Sequence, residues 1–126
     1  MRAQQSFPPE LVSAARARRF AEITLAQWSC DEVVESARLM LSELVVNAVL
    51  HAATRVVVRL TCTDGVVRIE VEDEDPTPIA APQVMAPDVP HGRGLAIVDT
   101  LADTWGSAPT SKGKVVWFEI APAAQP

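Results

Sequence analysis

A chain of 126 residues, 48% of them hydrophobic, can bury one compact core and has little room for a second, so residues 1–126 read as a single domain. The net charge of -5 and a pI near 4.9 exclude a general nucleic-acid binder, because counterion release needs a basic surface. No apolar run reaches the roughly 18 residues of a membrane span and no signal-peptide pattern opens the chain, so the expected location is cytoplasmic, without membrane or nucleic-acid partners.

Residues near 9–27 have helical spacing, with Leu11, Ala14, Ala15, Ala17, Phe20, Ile23 and Leu25 on an apolar side and Pro9 suited to the first turn. Arg16, Arg18 and Arg19 on this helix read as a solvated face without chemistry. An exposed patch of Phe20, Ile23 and Leu25 would serve pairing between subunits, so a homodimer stays open. A stronger helix runs from Asp31, a candidate N-cap, to about Ala52, with Glu32 and Glu35 in its first turns. Two β-branched-rich strands follow, Arg55 to Cys62 and Val66 to Glu72, and Asp64-Gly65 between them signals a hairpin. Cys30 and Cys62 show neither a paired metal spacing nor a disulfide framework and read as small core residues. The two histidines, His51 and His91, lie far apart with no cysteine nearby, which leaves a zinc site without support.

From about Glu74 to His91 the chain holds Pro76, Pro78, Pro82, Pro87 and Pro90, half of its 10 prolines, and regular structure is excluded there. So long a connection in a small domain reads as a functional flap. Gly92-Arg93-Gly94 then leads into Leu95 to Asp103, where Leu95, Ile97, Val98 and Leu101 predict a helix, and Lys114 to Ile120 is the last strand. Helix, helix, hairpin, flap, helix, strand describes an α/β (α+β) two-layer sandwich, with helices on one face of a largely antiparallel sheet.

Three features carry chemistry. Glu43, Asn47 and His51 recur at four-residue steps, each drifting by only about 40° around a helix, so they line one stripe. Leu41, Leu44, Val45, Ala48 and Val49 predict burial for much of the remaining surface, and a polar group at the edge of a core needs a partner. The amide oxygen of Asn47 suits Mg²⁺, and Glu43 one turn earlier can act as general base toward a hydroxyl or water. Asp73 ends a strand and can accept from an exocyclic amine such as that of adenine. Gly92 and Gly94 open a helix whose backbone N–H groups can approach phosphate oxygens. Each has a bland reading as well: a satisfied amide, an exposed helix carboxylate, a solvated strand end, a turn. Gly92-x-Gly94 completes neither the dinucleotide fingerprint nor a Walker A lysine motif, so the joint order carries the argument.

In that order the chain resembles the histidine-kinase-like ATPase superfamily, most closely the small bacterial anti-sigma-factor serine kinases and their actinobacterial relatives, over roughly residues 7–121. Ser42-Glu43-Leu44-Val45-Val46-Asn47-Ala48-Val49-Leu50-His51-Ala52 looks like the family's N box, Asp73 like its adenine-binding aspartate, and His91-Gly92-Arg93-Gly94-Leu95-Ala96-Ile97-Val98 like its phosphate-binding glycine box. Gly113-Lys114-Val115-Val116-Trp117-Phe118 resembles the terminal strand. The resemblance implies a Bergerat-type ATP-binding fold with an ATP lid at about 74–91. It implies ATP and Mg²⁺ as cofactors, Asn47 as metal ligand, Glu43 as catalytic base, and Asn47, Asp73, Gly92, Arg93, Gly94 and Leu95 around the nucleotide. The implied activity is that of a protein serine/threonine kinase acting as an anti-sigma factor. It would phosphorylate an anti-anti-sigma (STAS-type) partner, and the same surface would sequester a sigma factor.

The chain departs from the family in two places. Where the family commonly has Asp-x-Gly-x-Gly, this chain reads Asp73-Glu74-Asp75-Pro76-Thr77, and Val115 stands where the family often has a Thr. The altered lid motif supports a competing reading, a partner-binding module that holds nucleotide weakly or not at all. There is no separate dimerisation helix with a phosphorylated His, which argues against autokinase function.

Overall fold

The computed structural model describes residues 1–78 and 93–122, and of Arg93 and Gly94 the backbone alone. The elements are β1 (Arg2–Phe7), α1 (Val12–Gln27), a 3₁₀ turn (Asp31–Val33), α2 (Val34–Asn47), a π-helical turn (Ala48–Ala52), β2 (Val56–Thr63), β3 (Val66–Asp73), α3 (Arg93–Leu101), β4 (Thr104–Pro109) and β5 (Lys114–Ile120). The five strands form one sheet in the order β1-β2-β3-β5-β4, and every neighbouring pair is antiparallel.

Alternation decides which side of the sheet is covered. Val56, Val58 and Leu60 of β2, Val67, Ile69 and Val71 of β3, and Val116, Phe118 and Ile120 of β5 all point inward. They share one core with Ala17, Ala21 and Leu25 of α1, Met40, Leu41 and Val45 of α2, and Val98 of α3. Burial of this apolar surface is the main driving force, at about 25 cal/mol per Å². The predicted sandwich with helices on one face is therefore what forms. On the opposite face Arg59 lies 2.7 Å from Glu72, and Arg68 lies 2.9 Å from Glu70 and 3.3 Å from Glu119. Arg68 also stacks 4.2 Å over the ring of Trp117.

The hairpin joining β2 and β3 turns on Asp64 at φ 52° and Gly65 at φ 78°, the two left-handed residues that a tight two-residue connection requires. The helical run from Asp31 to Ala52 is continuous, but Asp31 does not cap it: the cap position is Cys30 and no side chain bonds there. Helix α1 begins at Val12, after Pro9, and its first turn is held instead by Ser13 Oγ donating to the carbonyl of Pro8 at 2.7 Å. Helix α3 ends at Leu101, and Asp103 accepts from the N–H of Ala121.

Several expectations are corrected. Strands β1 and β4 were not foreseen, because an edge strand contacts the core through few residues and shows little alternation. Phe7 is the one fully inward anchor of Arg2–Phe7, and Gly106 and Pro109 make Thr104–Pro109 read as a loop. The patch of Phe20, Ile23 and Leu25 does not form. Leu25 is 0% exposed, Phe20 packs its ring 6.3 Å from that of Phe7, and Ile23 alone is open at 46%. Arg18 is not a solvated charge, since its guanidinium donates to Ser42 Oγ at 2.8 Å and ties α1 to α2. Of the flap at 74–91, residues 79–91 lie outside the described residues, and 74–78 form neither helix nor strand.

Phe118 is fully buried between sheet and helices. Phe118→Ala should cost about 3–5 kcal/mol in urea denaturation, whereas exposed Leu39→Ala should stay within about 0.5 kcal/mol.

Candidate functional site

Leu41, Leu44 and Val45 bury one side of α2 and thereby fix the side on which Glu43 and Asn47, one turn apart, sit half-buried. Asn47 is the last α-helical residue, and the wider π turn begins at Ala48. That turn interrupts the four-residue stripe, so His51 sits exposed on a different pitch from Glu43 and Asn47. Ala53 then ends the helical run in a left-handed conformation, φ 55°.

Asn47 Oδ1 is a buried acceptor with no hydrogen-bond partner among the described residues. Leaving such an atom unsatisfied costs about 1–3 kcal/mol, which a ligand would relieve. A hard, neutral oxygen suits Mg²⁺, which keeps most of its waters and takes few protein ligands. The residue present therefore fits the ion. Glu43 enters no ion pair or side-chain hydrogen bond among the described residues.

Asp73 ends β3, 3% exposed, and its Oδ1 accepts from two donors: Lys114 Nζ at 3.1 Å and the N–H of Asp75 at 2.9 Å. Lys114 itself is 8% exposed and also donates to the carbonyl of Asp75 at 3.0 Å. The register explains the pair, because Asp73 and Lys114 stand opposite one another where β3 meets β5. Gly113 is obligatory beside them: a Cβ there would overlap the carbonyl oxygen of Asp73 and crowd Glu74. Thr54 Oγ1 accepts from the N–H of Glu74 at 2.9 Å, which brings the end of β3 to the end of the helical run. The carboxylate of Asp75 accepts from the backbone N–H of Thr77 at 2.9 Å, and that bond holds it below the usual carboxylate range. Any order this turn gains is present above the ordinary carboxylate value and is lost as pH falls through the depressed one.

Lys114 escaped sequence reasoning. Its only signal is a charged residue in register with Val116, Phe118 and Ile120, all inward. Val115, taken as the position of the family's Thr, points to the outer side opposite Glu72, so the side chain beside Asp73 is that of Lys114. Of the glycine box, Gly92 lies outside the described residues, and Arg93 and Gly94 form the first turn of α3. The side chain of Leu95 is only 9% exposed within the core, so it can offer a ligand no more than its backbone N–H. Helix α2 packs against both α3 and β3.

Removing Lys114 would leave a buried carboxylate without its counterion. Lys114→Met should lower stability by about 3–5 kcal/mol, read by urea denaturation, and the double variant Lys114→Met/Asp73→Asn should recover most of it.

Residues 7–120 match the family model described as a histidine kinase-like ATPase domain. Over 69 residues, 55% of this chain, the sequence is 41% identical to the DNA mismatch repair protein MutL of Sphingopyxis alaskensis, of which the chain spans only 11%. A crystal structure of the RsbU and RsbW domains of Rv1364c from Mycobacterium tuberculosis superposes on 99% of this chain and 35% of that one, with a TM-score of 0.72 at 18% identity. The histidine kinase domain of a blue-light activated histidine kinase from Erythrobacter litoralis covers 71% of this chain and 45% of its own, with a TM-score of 0.53 at 22% identity. At such identities the two structures speak for the fold alone. The family model spans most of the chain, and the protein belongs to the histidine kinase-like ATPase domain family.

Proposed function

We propose that this domain is a Mg²⁺- and ATP-dependent protein serine/threonine kinase of the anti-sigma type. It transfers a phosphoryl group to a Ser or Thr of an anti-anti-sigma (STAS-type) partner, and the same surface sequesters a sigma factor. The observation that carries the reading is the buried Oδ1 of Asn47, without a hydrogen-bond partner among the described residues, one turn from Glu43. Likeness in fold to a structure containing an RsbW domain agrees with it.

Asn47 would hold the Mg²⁺, whose charge, when bound, neutralises that of the nucleotide phosphates. The remaining work falls to the chain's own groups. Asp73 accepts from the exocyclic amine of adenine, with Lys114 and the N–H of Asp75 fixing its orientation. Arg93, Gly94 and Leu95, in the first turn of α3, offer backbone N–H groups to the phosphates, and the resemblance adds Gly92 to that set. Glu43 takes the proton of the attacking hydroxyl or orients it. Phosphoryl transfer asks little covalent work of the protein, so placing the hydroxyl in line is the larger part of catalysis.

One observation favours a second reading, a regulatory module that binds partners without kinase activity. Oδ1 of Asp73 already holds two donors, and Asp75 sets a further negative charge close by where the family has glycine.

Calorimetric titration with ATP, with and without Mg²⁺, separates the two. On the kinase reading binding is saturable and Mg²⁺-dependent and is lost in Asn47→Ala, while Glu43→Ala still binds nucleotide but loses phosphoryl transfer to a STAS-type domain by 100-fold or more, roughly the contribution of a positioned base. Absence of binding at millimolar ATP leaves the partner module. Unchanged transfer by Glu43→Ala removes the base assignment.

A further inference from the structure

The two cysteines, far apart in sequence, meet in space. Cys30 follows the left-handed Ser29, φ 58°, at the end of the α1 turn and immediately precedes the 3₁₀ turn Asp31–Val33. Cys62 lies one residue from the end of β2, and its backbone is pinned by Met1, whose carbonyl accepts from the Cys62 N–H at 3.0 Å. Both side chains are half-buried and pack against the rim of the core. Their sulfurs lie 3.7 Å apart, within thiol hydrogen-bond distance, and Cys30 Sγ also reaches the carbonyl of Trp28 at 3.5 Å. A disulfide would need the sulfurs to close from there to about 2.05 Å.

We propose that Cys30 and Cys62 are a modification site, forming a reversible intramolecular disulfide when the protein meets a peroxide. One thiolate attacks a peroxide oxygen, giving a sulfenic acid and releasing hydroxide, which takes up the proton that the thiol lost. The second thiolate then attacks the sulfenic sulfur; the S–S bond forms, the S–O bond breaks, and the oxygen leaves as water. In sum two thiols give up two protons and two electrons, and hydrogen peroxide becomes two waters.

The geometry also sets the rate and the consequence. Burial, then the hydrogen bond and charge of Cys62, push the Cys30 thiol above its ordinary value, so oxidation accelerates as pH rises. The bond closes a loop that contains all of α2 and the π turn, hence both Glu43 and Asn47. It fastens the start of that helical run to the sheet at β2 and restricts the unfolded chain.

The test uses the full chain, reduced, then treated with a slight excess of hydrogen peroxide. The expected product is a monomer lighter by two hydrogens that yields one Cys30–Cys62 cross-linked peptide. Dithiothreitol should return the starting mass. Its melting temperature should exceed that of the reduced form by roughly 5–15 °C. Cys30→Ser and Cys62→Ser should lose the mass change and the rise in melting temperature, while circular dichroism stays that of the reduced parent. Oxygen addition on separate cysteines, cross-linked dimers as the main product, or an intramolecular bond that lowers the melting temperature would each overturn the proposal.

Discussion

Everything in this fold leans on one constraint, a sheet that is apolar on one side and charged on the other. Because β2, β3 and β5 present their branched and aromatic residues inward, all three helices must lie across that side. Helix α2 is deeply engaged, with Ala37, Met40, Leu41, Leu44 and Val45 buried. Glu43 and Asn47 sit at its margin, where a polar side chain can reach past the core. Position of the chemistry thus follows from burial of the neighbours.

The elements that alternate or repeat strongly were legible from the residues alone. Val66 to Glu72 and Lys114 to Ile120 read plainly as strands, and α2 as a helix, because their periods are set by burial. Edge strands β1 and β4 were not legible, since each borrows its place from a central neighbour through backbone hydrogen bonds that leave no side-chain pattern. The candidate site divides along the same line. Glu43 and Asn47 share a helix, so spacing reveals them. Lys114 is important through Asp73, which is 41 positions away, and Cys30 through Cys62, which is 32 away. No local period reports a partner of that kind.

Several costly local features meet at one end of the molecule, although buried Arg38 Nε and left-handed Ser29 lie away from it. Asn47 Oδ1, unpartnered among the described residues, the π turn after it, left-handed Ala53 and the buried Asp73–Lys114 pair are all close to where β3 and the helical run terminate. Each is costly in isolation. The opposite end, at the β2–β3 hairpin, holds ordinary turn chemistry with its glycine in place. Departures from local rules that cluster in this way are expected at functional or strained sites, which agrees with the proposed nucleotide site.

The charged outer face has a different property. Arg59 is shared between Glu70 and Glu72, and Arg68 between Glu70 and Glu119, so the arginines and glutamates form a linked chain across β2, β3 and β5. Every arginine keeps a second partner when one glutamate is lost, and Glu70 keeps one when either arginine is lost. Such redundancy makes this surface tolerant of mutational drift: single exchanges redistribute contacts that are worth little each, and the sheet can change its sequence on this side while the buried side holds its register.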